Sequence, residues 1–260
     1  RETYPQAFAK GAMDKGKVMG FPLRAHPQRM FYRKDLFAKH GISVPTSWSE
    51  VASAGKAIKQ KEGIGGLACY YGADGNRQNL FIWLNYLWAA GADVFDSDMK
   101  PAWTTPAGLK ATRDYVELHT RHDICGDGAV SNVEQDARIQ FSQGKAAMIP
   151  VWWWAYSGFS NPNQSKLDKS KVAFTGMPSY QGKTVTYAIS MPFSISKHSK
   201  NQDAAWEFMK WLSNPELDRR NAIERQVRGE KIVNNVATHI SSLTDPVVNV
   251  VNDNIQIAAA

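Results

Sequence analysis

The chain has 260 residues, 43% of them hydrophobic and 21% charged, enough to bury a sizeable core as one large domain or two lobes. That composition excludes collagen-like, coiled-coil and wholly disordered chains. The net charge of +7 invites a nucleic-acid reading, but the basic residues are scattered and no block of like charge forms.

No apolar run approaches the roughly 20 residues that span a bilayer. The longest candidates, residues 79–90 and 146–151, are too short. The chain begins at Arg1 without Met or an apolar leader and ends in three alanines, which reads as a fragment or a processed chain. Cys69 and Cys125 are too few for a disulfide-dense scaffold or a four-cysteine zinc site. They permit one disulfide in an oxidising compartment, and the sequence leaves open whether they pair.

In chain order, residues 17–21 and 29–33 read as short strands, with Pro22 following the first. Residues 34–40 read as a helical turn closed by Gly41. Ser47-Trp48-Ser49-Glu50 is a capping box opening a helix that Gly63 ends. Residues 67–71 form an apolar strand ended by the turn-rich residues 72–76. Leu80, Phe81, Leu84, Leu87 and Trp88 follow a helical period that Gly91 stops. Thr105-Pro106 opens a helix to about His122, and Asn132-x-x-Gln135 opens another that closes near Gly144. Residues 146–151 are a strand running into Trp152-Trp153-Trp154. Residues 171–177 and 185–195 read as strands and 201–212 as an amphipathic helix; Asn214-Pro215 starts the next, to about Gly229. Helices and short strands alternate, so the class is α/β.

Catalytic and cofactor motifs are weak. Gly182-Lys183-Thr184 ends like a phosphate loop, but Met177 stands where a glycine is required and a strand-like segment follows. Ser142-x-x-Lys145 lacks its partner motifs. His119 and His122 share one helix face without further ligands and read as solvated helix-end residues. No cofactor, metal or catalytic residue is expected. Glu117, Asp123, Asp127 and Asp136 are carboxylates that nothing places in pairs, so a carbohydrate-active enzyme with an aromatic platform stays as one alternative. A basic polyanion binder is the other.

Tryptophan is the outlier, with nine residues, roughly two to three times an ordinary share. In an extended segment Trp152 and Trp154 would share one face and Trp153 the other. One face can then pack on a core while the other presents a broad apolar ring and an N–H donor, which suits the C–H face and hydroxyl rim of a sugar or polyol.

These pieces combine into a family resemblance. Phe21-Pro22, Met30-Phe31-Tyr32-Arg33-Lys34-Asp35-Leu36-Phe37, Gly41 and Pro45-Thr46-Ser47-Trp48-Ser49-Glu50 resemble the signature of the family 1 extracellular solute-binding proteins of bacterial ABC importers, the maltose-binding-protein-like group. Phe141-Ser142-Gln143-Gly144-Lys145-Ala146-Ala147-Met148, the segment from Ile195 to Asn201, Ala204-Ala205-Trp206-Glu207-Phe208 and Asp245-Pro246 match later family motifs in order. The resemblance covers about residues 16 to 246.

It implies a two-lobed, type II Venus-flytrap fold closing by hinge motion on a ligand held in the interlobe cleft, incomplete here because the opening N-terminal strands and the C-terminal helices are missing. It implies an N-lobe segment at 1–28, a C-lobe at 29–186, an N-lobe return at 187–230, and a crossing back toward the C-lobe at 231–260. The implied ligand is a small carbohydrate, the implied partner a membrane permease, and the implied location periplasmic or tethered outside the membrane. The protein is expected as a monomer with no nucleic-acid partner. Trp154 falls where relatives place a sugar-stacking aromatic, with Trp152 and Trp153 as alternatives if the register slips. His26, flanked by Arg24 and Arg29, falls at the first crossing. Tyr71, Asp74 and Asn76 follow a strand whose end faces the cleft, and Tyr187 and Ser190 sit at the second crossing. Arg24 and Arg29 leave room for an anionic ligand such as a sugar acid.

Overall fold

A thirteen-residue strand, β3 (Phe21–Arg33), runs through both parts of the molecule. In the computed structural model, residues 3–73, 77–227 and 238–251 are described. The chain divides into two units, one of Arg1–Pro27 with Ala188–Ala260 and one of Gln28–Tyr187. The sequence reading places strands at 17–21 and 29–33 and leaves the proline-bearing stretch between them without one. The strand survives because its first half, among the described residues, has a single neighbour, β6 (Ala188–Phe193), so the missing N–H of Pro22 and Pro27 can face away from the ladder.

The first unit holds α1 (Gln6–Gly11), the two-residue strands β1 (Met13–Asp14) and β2 (Lys17–Val18), the opening half of β3, and β6. After β6 come α8 (Gln202–Leu212), α9 (Pro215–Val227), α10 (Ile240–Leu243) and α11 (Pro246–Val251). The sequence reading sends residues 231–260 back toward the other lobe. Of these, 238–251 are described, and they stay with α9. His239 Nδ1 lies 2.9 Å from Asp218 Oδ2, and Arg219 Nε donates to Asp245 Oδ2 at 2.8 Å.

The second unit is α/β. Its elements are α2 (Lys34–His40), α3 (Trp48–Glu62), α4 (Asn79–Ala89), α5 (Pro106–Thr120), α6 (Glu134–Ser142), β4 (Met148–Trp152), α7 (Ala155–Phe159) and β5 (Val172–Thr175). The second half of β3 is the middle strand, antiparallel to β4 and β5. Residues 65–71 extend the layer as bridged backbone, parallel to Ala146 on one side and Cys125 on the other. Phe31, Ile149, Phe141 and Ile124 are fully buried around this sheet. Helix α3 lies so close to it that a Cβ on Gly66 would meet the Gly55 carbonyl at 2.3 Å.

The predicted caps are local chemistry. Ser47 Oγ accepts from the Glu50 amide and Glu50 returns a bond to the Ser47 amide. Gly41 and Gly63 close their helices at φ 61° and 69°, where a side chain would be strained. Helix α6 starts two residues after the predicted cap residue Asn132. Asn132 Nδ2 is diverted to the Asp127 carbonyl, and Val133 caps instead, its amide donating to Asp136 Oδ2. Cys69 and Cys125 are bonded, with Cα atoms 5.4 Å apart, tying two neighbouring extended segments together.

Candidate functional site

At one edge of this sheet β4 ends at Trp152 and the bridged segment ends at Tyr71, and the Gly72 amide donates to the Asn132 carbonyl just before α6.

Trp152 ends β4, opposite Gln28 of β3. The residue is 5% exposed, and its Nε1 donates to Gln78 Oε1 at 2.8 Å. Beside it stand Phe81, with ring centroids 5.5 Å away, and Tyr187, at 6.0 Å. Tyr187 lies nearly parallel to Phe81 at 4.6 Å and to Trp88 at 5.7 Å. Asn85 ties this cluster down. Its Nδ2 donates to Gln28 Oε1 at 2.7 Å, and its Oδ1 accepts from the Tyr187 amide at 2.6 Å. Burial raises the Tyr187 hydroxyl above its usual pKa.

The expected alternation through the three tryptophans does not hold. The extended backbone stops at Trp152, and Trp154 takes helical angles, φ −64° and ψ −17°, just before α7. Trp153 is 1% exposed and belongs to the core. Trp154 is half-buried, and the Arg138 guanidinium sits over its ring, 5.0 Å from the centroid. Arg138 Nε donates to Glu134 Oε1 at 2.7 Å. Glu134 is buried, and desolvation raises its carboxyl pKa despite the attraction of Arg138.

The remaining candidates are spread over both units. In the second, Tyr71 is committed, its hydroxyl donating to the Tyr115 carbonyl at 2.9 Å. Arg29 is 2% exposed and donates from Nη1 to the Gln28 carbonyl at 3.4 Å; among the described residues its Nε and Nη2 take no partner. Burial lowers its pKa to about 10. In the first unit, Arg24 is exposed and His26 half-buried; desolvation, then the nearby Arg24 charge, lowers the imidazole pKa. Ser190 donates to the Phe8 carbonyl at 2.9 Å, holding α1 on β6. Asp74 and Asn76 lie outside the described residues.

Sequence reasoning missed Gln78, Asn85, Glu134 and Arg138. The last two were signalled by their i, i+4 spacing, which favours a Glu–Arg pair on a helix. No metal-holding cluster occurs among the described residues. An open groove of about 670 Å³ lies elsewhere on this unit, floored by Trp48 and Tyr86. The acids on its rim are already paired, Asp114 with Lys110 and Tyr180, and Glu117 with Arg121. Among the described residues no helix is long and apolar enough to cross a membrane.

Residues 2–218 match the bacterial extracellular solute-binding protein family. The mannitol-binding protein of Pseudomonas aeruginosa is 27% identical over 208 residues, 78% of this chain and 47% of that protein. The chain spans about half the length of the curated relatives it matches. Maltose-bound MalE3 of T. maritima superposes with a TM-score of 0.82 at 24% identity, over 99% of this chain and 64% of that one. A solute-binding protein of Agrobacterium radiobacter in complex with ribitol superposes at 0.77 with 26% identity, over 99% and 62%. One from Agrobacterium vitis with bound D-mannitol reaches 0.74 with 26% identity, over 96% and 59%. The fold is therefore that of the type II periplasmic binding proteins, and the chain belongs to the bacterial extracellular solute-binding protein family.

Proposed function

We propose that this chain is part of the substrate-binding component of an ABC importer, that it captures a small sugar or polyol outside the cytoplasmic membrane, and that it delivers the ligand to a membrane permease. The observation that carries the reading is the aromatic and amide edge of the second unit. Trp154 offers a half-buried ring, and beside the Trp152, Phe81 and Tyr187 cluster stand the amides of Gln28, Gln78 and Asn85. Aromatic rings bury the C–H face of a carbohydrate. Each hydroxyl removed from water needs a partner, because an unpaired one costs about 1–3 kcal/mol. Such binding needs no reacting group.

Three relatives support the ligand class through the mannitol, ribitol and D-mannitol in their names. The Cys69–Cys125 disulfide fits an oxidising, extracytoplasmic compartment. We further read the two units as counterparts of the family's two lobes, and the protein as acting as a monomer.

Intrinsic tryptophan fluorescence of the full-length protein, titrated with mannitol, ribitol, maltose and a short oligonucleotide, tests this. The expected result is a saturable shift with one carbohydrate, insensitive to salt and weakened at least tenfold in Trp154→Ala. Silence toward every carbohydrate, or a response only to the oligonucleotide that falls steeply with salt, would refute it.

A further inference from the structure

Arg138 projects from α6 onto the ring of Trp154, and a buried carboxylate fixes it there. Its Nε donates to Glu134 Oε1 at 2.7 Å, one helical turn back, while its guanidinium carbon lies 5.0 Å from the Trp154 ring centroid. The two partners differ in burial: the Glu134 side chain is 5% exposed and that of Arg138 is 30% exposed. Nε is thus spent inward. Among the described residues, Nη1 and Nη2 take no hydrogen bond. A guanidinium presents its donors in a rigid planar fork that meets two neighbouring acceptors at once. With a carboxylate and an aromatic face holding it, the side chain's ordering cost is met before any ligand arrives.

We propose that Arg138, positioned by Glu134, is a ligand-contacting residue that reads two adjacent hydroxyls of a neutral sugar or polyol seated at Trp154. The inference rests on the carbohydrate-capture reading. It selects neutral ligands because Glu134 already supplies the counter-charge, so the ligand need bring none. A sugar acid would bring a second negative charge to an Arg that has one.

The test is calorimetric titration of the full-length protein with D-mannitol, ribitol and D-mannonate, for wild type, Arg138→Met, Arg138→Lys and Glu134→Gln. The expected result is neutral polyol affinity weakened about tenfold or more in Arg138→Met, less in Arg138→Lys, and by an intermediate factor in Glu134→Gln. Wild type should bind mannonate no more tightly than mannitol. Tryptophan emission checks the contact itself: Arg138→Met should shift it, and should not in a Trp154→Phe background. Should Arg138→Met fail to fold by circular dichroism, Arg138→Lys and Glu134→Gln carry the comparison. Polyol binding unchanged in the Arg138 variants overturns the inference and leaves carbohydrate capture standing. Tenfold preference of wild type for mannonate overturns the neutral-ligand part. If no carbohydrate binds wild type, both readings fall.

Discussion

Glu134 opens α6, where the helix N-terminus favours a negative charge, yet burial there outweighs that support and the pull of Arg138. Its folded-state pKa lies above that of the unfolded chain. Between those two values the native state binds more protons than the unfolded one, so this group's stability contribution is present at low pH and lost as pH rises. Arg138 and Tyr70 are the charged or titratable groups that couple to it. The expected outcome is that wild type gains stability relative to Glu134→Gln as pH is lowered from 7 toward 4.5, read as the difference in thermal midpoints across a pH series. A difference that shrinks on acidification would mean that the ion pair outweighs burial. At this scale the triplet Trp152-Trp153-Trp154 was visible as chemistry but not as geometry. Whether a backbone stays extended for one more residue depends on α7 starting at Ala155, and no local signal marks that start.

Local capping signals gave the helix ends in the second unit more securely than periodicity gave their faces. Ser47 and Thr105 accept through their side-chain oxygens from amides three residues on, and Gly41 and Gly63 act through their own φ, so the effect is readable without the rest of the fold. Helix α4 is different. It is apolar almost all round, and its buried residues include Ile82, Asn85, Tyr86 and Ala89, while Leu80 of the predicted stripe is 43% exposed. Asn85 is inside because Gln28, Phe81 and Tyr187 satisfy its amide, and Gln28 and Tyr187 are remote in sequence. The disulfide likewise depended on tertiary proximity. It closes a loop of sequence separation 56, so in the chain-entropy picture its loss costs the second unit about 4 kcal/mol. A Cys69→Ala, Cys125→Ala double variant should show a urea midpoint lowered accordingly, with dithiothreitol lowering wild type to match. Equal midpoints for reduced and oxidised protein would contradict this.

At the scale of the molecule, the α/β class and family were legible because the motifs keep their order along nearly the whole chain. The division into two units was not announced by composition, since no linker separates them. The second unit holds its own sheet, its own disulfide and a continuous core, so residues 28–187 produced alone should unfold in one cooperative urea transition. A broad, non-cooperative loss of signal would count against its autonomy. Its two ends are also hydrogen-bonded neighbours, the Gln28 amide donating to the Tyr187 carbonyl at 3.2 Å. On the other side of the cut, Pro27 and Ala188 face each other as partners in the β3–β6 ladder. Topologically, the second unit is a cassette inserted into a hairpin: a tight two-residue turn could close that hairpin in its place, so the chain could gain or exchange such a cassette without any strand of the first unit changing its partner.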